Sequence, residues 1–373
     1  MIRVLHFADL VNRDDFIHNV ISHVDPERYG MAAATLHDRG TLNADPAPLP
    51  AVHDLDCRQR RRYGLAVRRL RRVIGETRSD ILHTHHYEPA VIGALATLGT
   101  RVRLVLGRHY SDAIYQLSRG WRRRGYLAVE ALCNRRADAI VAPSRAVARV
   151  LSSQGVDAAK VAVIPYGFDF RRFGPRDPAV LARVRDEWPR GSGPRLATVA
   201  RLHAEKGHRH LIEALDLLRR DSFEARWLVV GDGPERAALE AEVLRRGMEG
   251  IIRFAGWRTD VLDIVAAADM VVQPTLHEAF SQVMVETMAL GTPLVISDVS
   301  GVEDVVESGR SGLVVPPRDS SALSAAIRDL SSADRARTIG AGGHARVRGL
   351  LDIGAVARRF EDLYRRVAGR EAA

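Results

Sequence analysis

The segment HEAFSQVMVETMALGTP, residues 277–293, has two carboxylates placed around a predicted helix start. It follows the apolar run MVVQPT, and its Gly and Pro mark the end of that helix. Backbone N–H groups near the helix start can hold a phosphate or a sugar hydroxyl. The residues that carry these groups are Phe280, Ser281, Gln282 and Val283. Glu278 before the helix and Glu286 within it suit hydroxyl recognition, because a carboxylate accepts hydrogen bonds from neighbouring hydroxyls.

A simpler interpretation of the two carboxylates remains open. Glu286 can be a solvated helix residue, and Glu278 can be a partner of the positive end of the helix dipole.

Two cations lie in the segment ATVARLHAEKGHRHLIEAL, residues 197–215. A predicted buried strand runs into a loop with Arg201 and Lys206, and an amphipathic helix follows. Because lysine acts as a point charge and arginine as a fork, the pair predicts a clamp for a diphosphate. The alternative is a solvated basic loop in a chain that is rich in arginine.

The turn GDGPER, residues 231–236, lacks the third glycine of the dinucleotide pattern G-x-G-x-x-G. We interpret it as a strand-to-helix turn with Pro234 at the first helical position. The sequence therefore predicts no NAD cofactor.

Histidines cluster in HTHH, where His83 and His85 alternate along a predicted strand and share one face; His86 follows. A metal site here would lack the usual carboxylate or thiol partners, so none is predicted. His109 ends the predicted strand RVRLVLGRH, where its side chain would face a cleft between domains. It is the better candidate for a substrate contact.

Short apolar strands, five in the first half of the chain and six in the second, alternate with helical segments, which predicts parallel sheets covered on both faces. The fold class is therefore α/β, with two doubly wound domains that face each other across a cleft. The segment FDFRRFGPRDP interrupts the pattern between them. The predicted boundaries are 1–167 for an acceptor-side domain, 168–352 for a donor-binding domain, and 353–373 for a helix that packs back on the first domain. This last helix is predicted to be amphipathic, with one apolar stripe that contains Val356, Phe360, Leu363 and Val367.

The 373 residues are 46% hydrophobic and 27% charged, which excludes disordered, collagenous and coiled-coil proteins. The two cysteines exclude a disulfide framework. The start shows no signal-peptide pattern, and no uncharged apolar run is long enough to span a membrane. We therefore expect a cytoplasmic protein.

The net charge of +9 lies entirely in residues 1–165, which hold 25 basic and 16 acidic residues. The segment Arg58–Arg72 predicts a helix with an arginine face opposite an apolar face, and a second basic cluster spans Arg119–Gly125. The arginines at helical spacing, several of which can share one face, are Arg58, Arg61, Arg62, Arg68, Arg69 and Arg72. Such patches attract phosphates, so an anionic membrane surface is a predicted partner. The alternative is a solvated helix. Nucleic acid is not a predicted partner, because no helix-turn-helix or finger pattern is present.

Together these segments resemble the retaining glycosyltransferases of family four, which have the two-domain GT-B fold. The similarity covers about residues 138–320 and is weak before residue 135. Its elements occur in the family's order: VAPSRAVARVL, VIPYGFD, ARLHAEKG, VVGDGPERAALE, IRFAGW, ADMVVQPTLHEAFSQVMVETMALGTPLVISD and SGLVVPP.

The resemblance implies transfer of a sugar, with retention, from a UDP or GDP donor to a glycan, lipid-linked or small-molecule acceptor. Arg201 and Lys206 would neutralise the departing diphosphate, and Glu286 would hold the ribose. Glu278, with the amides of residues 280–282, would hold the sugar, and His109 would also contact it. The backbone of three residues would meet the base: Gly256, Trp257 and Arg258. The mechanism would need no metal and no cofactor besides the donor itself.

Two departures from the family pattern concern the donor site. The family's Glu-Gly-Phe-Gly is Glu-Ala-Phe-Ser at residues 278–281, which places small side chains where the sugar would pack. The glycine-rich loop after the first strand is replaced by ADLVNRDDF. Its Arg13-Asp14-Asp15 is not the Asp-x-Asp of metal-dependent transferases. A GT-B epimerase, a non-catalytic homologue and, from another class, an arginine-rich nucleic-acid-binding protein remain as alternatives.

Overall fold

The computed structural model describes residues 1–9, 16–37, 52–57, 60–109, 120–278 and 280–369. The chain divides into a first unit, Met1–Asp169 with Leu351–Ala373, and a second unit, Phe170–Leu350. Several residues singled out above lie outside the described residues: Arg13, Asp14, Asp15, Arg58, Arg119 and Ala279.

The first unit contains a seven-stranded sheet in the order β3-β2-β1-β4-β5-β6-β7. Every strand pair in it is parallel. Its strands are Ile2–Ala8 (β1), Tyr29–Thr35 (β2), Val52–Asp54 (β3), Ile81–His85 (β4), Arg103–Gly107 (β5), Ala139–Ala142 (β6) and Val161–Val163 (β7). The strand order reverses between β1 and β4, which makes this pair the topological switch point.

The second unit contains a six-stranded parallel sheet in the order β10-β9-β8-β11-β12-β13. Its strands are Arg195–Val199 (β8), Arg226–Val230 (β9), Ile252–Gly256 (β10), Met270–Gln273 (β11), Leu294–Ser297 (β12) and Leu313–Val315 (β13). Here the order reverses between β8 and β11. The expectation of two doubly wound parallel sheets is confirmed.

The helices of the first unit are Phe16–His23 (α1), Tyr63–Thr77 (α2), Tyr87–Ala96 (α3), Trp121–Arg136 (α4) and Arg145–Ser153 (α5). Those that follow Phe170 are Pro178–Arg185 (α6), His208–Arg220 (α7), Arg236–Arg245 (α8), Val261–Ala267 (α9), Gln282–Ala289 (α10), Val302–Val305 (α11), Ser320–Asp329 (α12), Ala333–Leu351 (α13) and Ile353–Val367 (α14). None of the helices in the described residues has both the length and the apolar character needed to cross a bilayer.

Alternation along β1 separates the two faces of the first sheet, since successive side chains of a strand point to opposite sides. Leu5 and Phe7 pack into the core that α2 and α3 cover. Val4 and its neighbours on the other face pack against α1 and α14. The predicted amphipathic stripe of α14 is buried there, with Phe360 fully covered.

All six predicted strands of the second half are present, whereas the first half holds two strands beyond the five predicted. The additional strands are β2, with the sequence YGMAAAT, and β3, with the sequence VHD. Alanine has low β-propensity, and three residues are too few to show alternation, so neither strand has a local signal. They form because parallel pairing continues outward from β1: β2 pairs with β1, and β3 pairs with β2.

Candidate functional site

The candidate donor site lies at the carboxyl ends of β8 and β11, the switch point of the second sheet. Ligands of open parallel sheets bind at this place. A single 3₁₀ turn, Ala204–Lys206, follows β8, and the segment 274–281 follows β11. The Leu276 N–H donates to the Glu205 carbonyl at 2.7 Å, which joins the two loops.

Gly207 lets these loops approach closely. Its φ is +69°, and a Cβ at this position would lie 2.0 Å from the Pro274 carbonyl oxygen. Any side chain would therefore separate the loops, so the glycine after Lys206 fixes where the lysine lies.

Lys206 and Glu278 form the central contact of the site. The Lys206 Nζ lies 2.5 Å from Glu278 Oε2, and the two side chains are only 15% and 23% exposed. In such a shielded position each charge stabilises the other, and an anion that enters the site meets a cation already in place. The sequence singled out both residues but did not predict that they pair.

Arg201 is placed differently from Lys206. Its side chain is 71% exposed, and its Nη2 lies 3.9 Å from Glu205 Oε1. The structure therefore keeps one cation paired at the strand ends and the other largely in solvent.

The start of α10 has a side-chain cap. Ser281 is buried, and its hydroxyl accepts a hydrogen bond from the Met284 N–H at 3.2 Å. Phe280 is also buried, whereas Gln282 is exposed and Val283 is half-buried. The serine that departs from the family pattern thus acts as an N-cap, a favoured role for this residue type.

Glu286 is half-buried on α10, so the interpretation as a solvated helix residue is wrong. Burial raises the pKa of its carboxyl, and the charge of Arg172 partly offsets this shift. A half-buried carboxyl on the helix that begins at this site is suited to accept hydrogen bonds from ligand hydroxyls.

The predicted base-contacting segment follows β10. Gly256 ends that strand with a φ of +71°, and Trp257 is 75% exposed. The Arg258 guanidinium donates to carboxylate oxygens of both Asp260 and Glu187 at 2.6–2.9 Å. These two hydrogen-bonded carboxylates raise the pKa of Arg258. Its charge is therefore satisfied within the protein, and the backbone of the segment is what the site can offer to a ligand.

The GDGP turn supports the loop that carries Arg201. The Leu202 N–H donates to the Asp232 carbonyl at 2.9 Å, and the Glu235 N–H donates to the Leu202 carbonyl at 3.0 Å. Pro234 lies in the turn rather than at the first helical position, because α8 begins only at Arg236. The turn thus has a structural role that needs no cofactor.

His109 lies in the first unit, two residues beyond the end of β5, whereas the other predicted site residues lie in the second unit. It is half-buried, and both ring nitrogens have partners. Nε2 is 2.9 Å from His85 Nδ1, and Nδ1 is 2.8 Å from the Tyr166 hydroxyl. Burial lowers the pKa of His109 well below the usual range, so the ring is neutral at physiological pH.

Three buried histidines lie together near the first switch point. His6 on β1 joins His83 and His85 of β4, and one nitrogen from each lies within 4.8 Å of the others. Burial lowers the pKa of His6 to about 3 and shifts His83 and His85 in the same direction. Neutral imidazoles at this spacing could ligate a metal, but His6 Nδ1 and His85 Nε2 already contact each other at 2.9 Å.

Asp9 is a residue that the sequence analysis missed. It follows β1 directly, at the carboxyl edge of the first sheet. Burial, together with the charge of Glu88 at the start of α3, raises the pKa of its carboxyl to about 6. An acidic residue just after a buried strand was the available signal. No local signal existed for Tyr166 or for Tyr364, whose partner His83 is 281 residues away.

Comparison with known proteins agrees with this geometry. Residues 193–333 match the family described as Glycosyl transferases group 1, and residues 20–172 match Glycosyltransferase Family 4. Each half of the chain thus matches a glycosyltransferase family, including the first half, where the sequence resemblance was weak.

Two curated relatives are both named as sugar-polymer or sugar-transfer enzymes. The chain is 31% identical over 206 residues to 2-deoxystreptamine glucosyltransferase of Streptomyces kanamyceticus, which covers 54% of this chain and 53% of that protein. It is 30% identical over 263 residues to glycogen synthase of Mycobacterium tuberculosis, which covers 68% and 60%. The chain spans about half the length of the curated relatives it matches.

Among solved structures, HepE from Anabaena, determined in complex with UDP, is similar over nearly the whole chain. The TM-score is 0.82 at 23% identity, covering 97% of this chain and 99% of that one. With its two parallel-sheet Rossmann-like units, the protein has the GT-B fold.

The raised pKa of Asp9 predicts a pH-dependent stability. Because the folded-state pKa lies above the ordinary 3.8, the contribution of Asp9 is fully present below pH 3.8 and is lost as the pH rises through about 6. Asp9→Asn removes the buried charge, so its melting temperature should exceed that of the wild type at pH 7.5 and approach it near pH 4. Thermal scans across this range check the prediction. Glu76→Gln, at an exposed position on α2, is the control. A stability difference that is constant with pH would contradict the prediction.

Proposed function

We propose that the protein transfers a sugar from a nucleotide-diphosphate sugar, UDP or GDP, to a hydroxyl-bearing acceptor with retention at the anomeric carbon. The observation that carries this proposal is the shielded Lys206–Glu278 pair at the switch point of the second sheet. It places a cation for a diphosphate beside a carboxylate for a sugar. The family matches in both halves of the chain support it.

The pair has a direct consequence for the order of binding. Before the donor arrives, Lys206 is held by Glu278 at 2.5 Å. A diphosphate competes for that ammonium because phosphate oxygens accept strong charge-assisted hydrogen bonds. Once Lys206 turns to the diphosphate, the Glu278 carboxylate becomes available to the hydroxyls of the sugar.

Leaving-group departure then depends on cations that the chain itself supplies. Lys206 stabilises the negative charge that develops on the diphosphate, and Arg201 swings in from solvent as a second donor. The amides at the start of α10 add the positive end of the helix dipole. Glu286 holds the ribose, the backbone at residues 256–258 meets the base, and His109 contacts the sugar. This mechanism needs no metal.

The acceptor side is proposed to lie in the first unit, which would bind a glycan, a lipid-linked sugar or a small hydroxyl compound. The relatives' names include both a small-molecule glucosyltransferase and a polymer synthase. The common requirement is an acceptor hydroxyl as the nucleophile.

We also propose that the first unit docks on an anionic membrane surface. The apolar residues of α2 face the core, and four arginines of this helix and of the 3₁₀ turn Arg60–Arg62 before it are exposed: Arg61, Arg62, Arg68 and Arg72. Helices α3 and α4 cover the same face of the sheet, and large apolar side chains on them and just after α3 are exposed: Leu95, Leu98, Trp121 and Leu132. Arginines interleaved with exposed apolar groups suit the interface of a bilayer with anionic lipids.

Arg69 does not belong to this surface. Its Nη1 donates to the Leu55 carbonyl and lies 3.8 Å from Asp56 Oδ2, so the side chain is anchored. The grouping of Arg69 with the solvent-facing arginines is therefore wrong.

Replacement of Lys206 tests the proposed function. Lys206→Ala should lower turnover about a hundredfold or more, the effect of removing one donor that stabilises transition-state charge. Transfer is measured with UDP- and GDP-sugars in EDTA, where wild-type activity should persist. Arg328→Ala is the control, because it removes a cation paired with Asp221 at the opposite edge of the second sheet. Near-normal turnover of Lys206→Ala, or loss of wild-type activity in EDTA with recovery in manganese, would overturn the mechanism.

Replacement of Glu278 should strengthen nucleotide binding and lower turnover. Glu278→Gln removes the competitor for Lys206, so calorimetry should show tighter binding of free UDP or GDP than in the wild type. Turnover should fall, because the sugar loses a carboxylate that orients it. Glu205→Gln, beside the exposed Arg201, serves as the comparison. Weaker nucleotide binding by Glu278→Gln would refute the competition between carboxylate and diphosphate.

Membrane docking is tested by sedimentation with anionic liposomes. Each exposed arginine near such a surface contributes on the order of 1 kcal/mol, so loss of four should abolish binding at low salt. The variant changes four residues to Gln: Arg61, Arg62, Arg68 and Arg72. Its control changes four exposed arginines of the second unit: Arg310, Arg318, Arg328 and Arg337. If the wild type does not sediment with the liposomes, membrane docking is wrong and a soluble acceptor takes the place of a membrane-bound one.

A further inference from the structure

A continuous chain of hydrogen bonds crosses the interior of the first unit. It joins four imidazole rings and two phenols that come from β1, β4, the segment after β5, the segment after β7, and α14. In order, its members are His83, Tyr364, His6, His85, His109 and Tyr166. Apart from the last two, all of them are completely buried.

The inner half of the chain is built around the Tyr364 hydroxyl. This oxygen lies 2.9 Å from His83 Nδ1 and 3.3 Å from His6 Nε2. The other nitrogen of His6, Nδ1, lies 2.9 Å from His85 Nε2. The remaining nitrogen of His83, Nε2, is buried and has no partner among the residues that the structure describes.

Neutral imidazoles impose one direction on such a chain. Each ring carries one N–H and one lone pair, so the donors must all point the same way along the series. If they pointed from His109 toward Tyr364, the Tyr364 O–H would donate to His83 Nδ1. His83 would then carry its proton on Nε2, which would be a buried donor without an acceptor. If both rings donated to the Tyr364 oxygen instead, the Tyr364 O–H would be the buried donor left without an acceptor.

The opposite direction avoids this. His83 Nδ1–H donates to Tyr364, the Tyr364 O–H donates to His6 Nε2, and only a lone pair of His83 is left without a partner. Orphaned buried N–H groups are rarer than unfilled acceptors. His6 and then His85 each donate outward from Nδ1, and His109 Nδ1–H donates to the Tyr166 hydroxyl.

We propose that Tyr364, through His6 and His85, holds His109 in the tautomer that carries its proton on Nδ1. These three residues are then positioning residues, and His109 Nε2 is always an acceptor. Under the proposed function, on which this consequence rests, a sugar hydroxyl would insert between the two rings, donate to His109 Nε2 and accept the hydrogen bond of His85 Nδ1–H. His109 Nε2 would not attract the carboxylate of an anionic sugar, because the ring is neutral and presents a lone pair.

Gly107 makes the contact between His85 and His109 possible. A Cβ at Gly107 would lie 2.7 Å from His109 Nε2 and 2.9 Å from His85 Nδ1, between the two nitrogens that form the link. The end of β5 therefore has a residue without a side chain at the place where the hydrogen bond joins His85 of β4 to His109.

The tautomer is read directly by long-range ¹H–¹⁵N correlation spectra of the full-length protein labelled at histidine nitrogens. His109→Gln identifies the His109 signals by their disappearance. In the wild type the pattern should be that of Nδ1–H. Tyr364→Phe removes the donor to His6 and the acceptor of His83, so the His109 pattern should shift toward Nε2–H or a mixture of the two.

Tyr29→Phe is the matched control. Its hydroxyl donates to the Glu361 carbonyl of the same helix at 3.0 Å, outside the chain, so its loss should leave the His109 tautomer unchanged. If Tyr364→Phe does not fold, Gly107→Ala breaks the chain at the outer link. The His109 signals should then change while those of His6 keep the wild-type pattern.

An Nε2–H pattern for His109 in the wild type, or no change in either variant, would overturn the proposal. So would a stoichiometric metal whose removal by EDTA alters the His6, His83 and His85 signals, because the cluster would then be a metal site. In a transfer assay Tyr364→Phe should lower kcat/KM roughly tenfold, as when a partner that orients a functional histidine is removed, with the Kd for UDP unchanged. The spectra need no activity, so the tautomer and the proposed function can fail separately.

Discussion

Parallel pairing at the point where strand order reverses is the constraint on which the candidate site depends. Between β8 and β11 the connections leave in opposite directions, so no crossover helix covers the carboxyl ends of this pair. Lys206 and Glu278 are 72 residues apart in sequence and meet only because these two strands are neighbours. The close approach at Gly207 and the Leu276–Glu205 hydrogen bond then set the distance between their loops.

The electrostatics of the second unit follow from how exposed each cation is. Lys206 is shielded and needs a carboxylate partner in the absence of ligand, since an unpaired charge there would be destabilising. Arg201 is in solvent and needs none. Arg258 is held by two carboxylates, which engage its Nε and both terminal nitrogens. The two arginines, Arg201 and Arg258, therefore have different roles, which a count of arginines does not distinguish.

The sequence predicted the parts of the molecule that have local signals. Eleven of the strands coincide with runs that the sequence marks as strands, and α14 shows a clear amphipathic stripe with Asp352 as its N-cap. The strands β2 and β3 depend on pairing with a neighbour. The charged site residues could be identified by their place after strands, but the contact between Lys206 and Glu278, the anchoring of Arg69 and the partner of His83 could not. These are contacts between side chains distant in sequence, and no spacing encodes them.

The two switch points solve the burial of polar groups in different ways. In the second unit, charged groups lie at the strand ends, where partial exposure reduces the desolvation of each charge. In the first unit, polar side chains lie within the strands, at His6, His83 and His85, where a charge would be far more costly. Imidazole is suited to this position because its neutral form both donates and accepts a hydrogen bond. A series of such rings can therefore pair its polar atoms with one another without any ion.

Tyr364, which lies on the last helix, α14, is the inner hydrogen-bond partner of this series of rings. Under the proposed tautomer, the packing of α14 therefore helps to determine which nitrogen of His109 carries the proton. The apolar stripe that holds this helix against the sheet thus has a chemical consequence as well as a structural one.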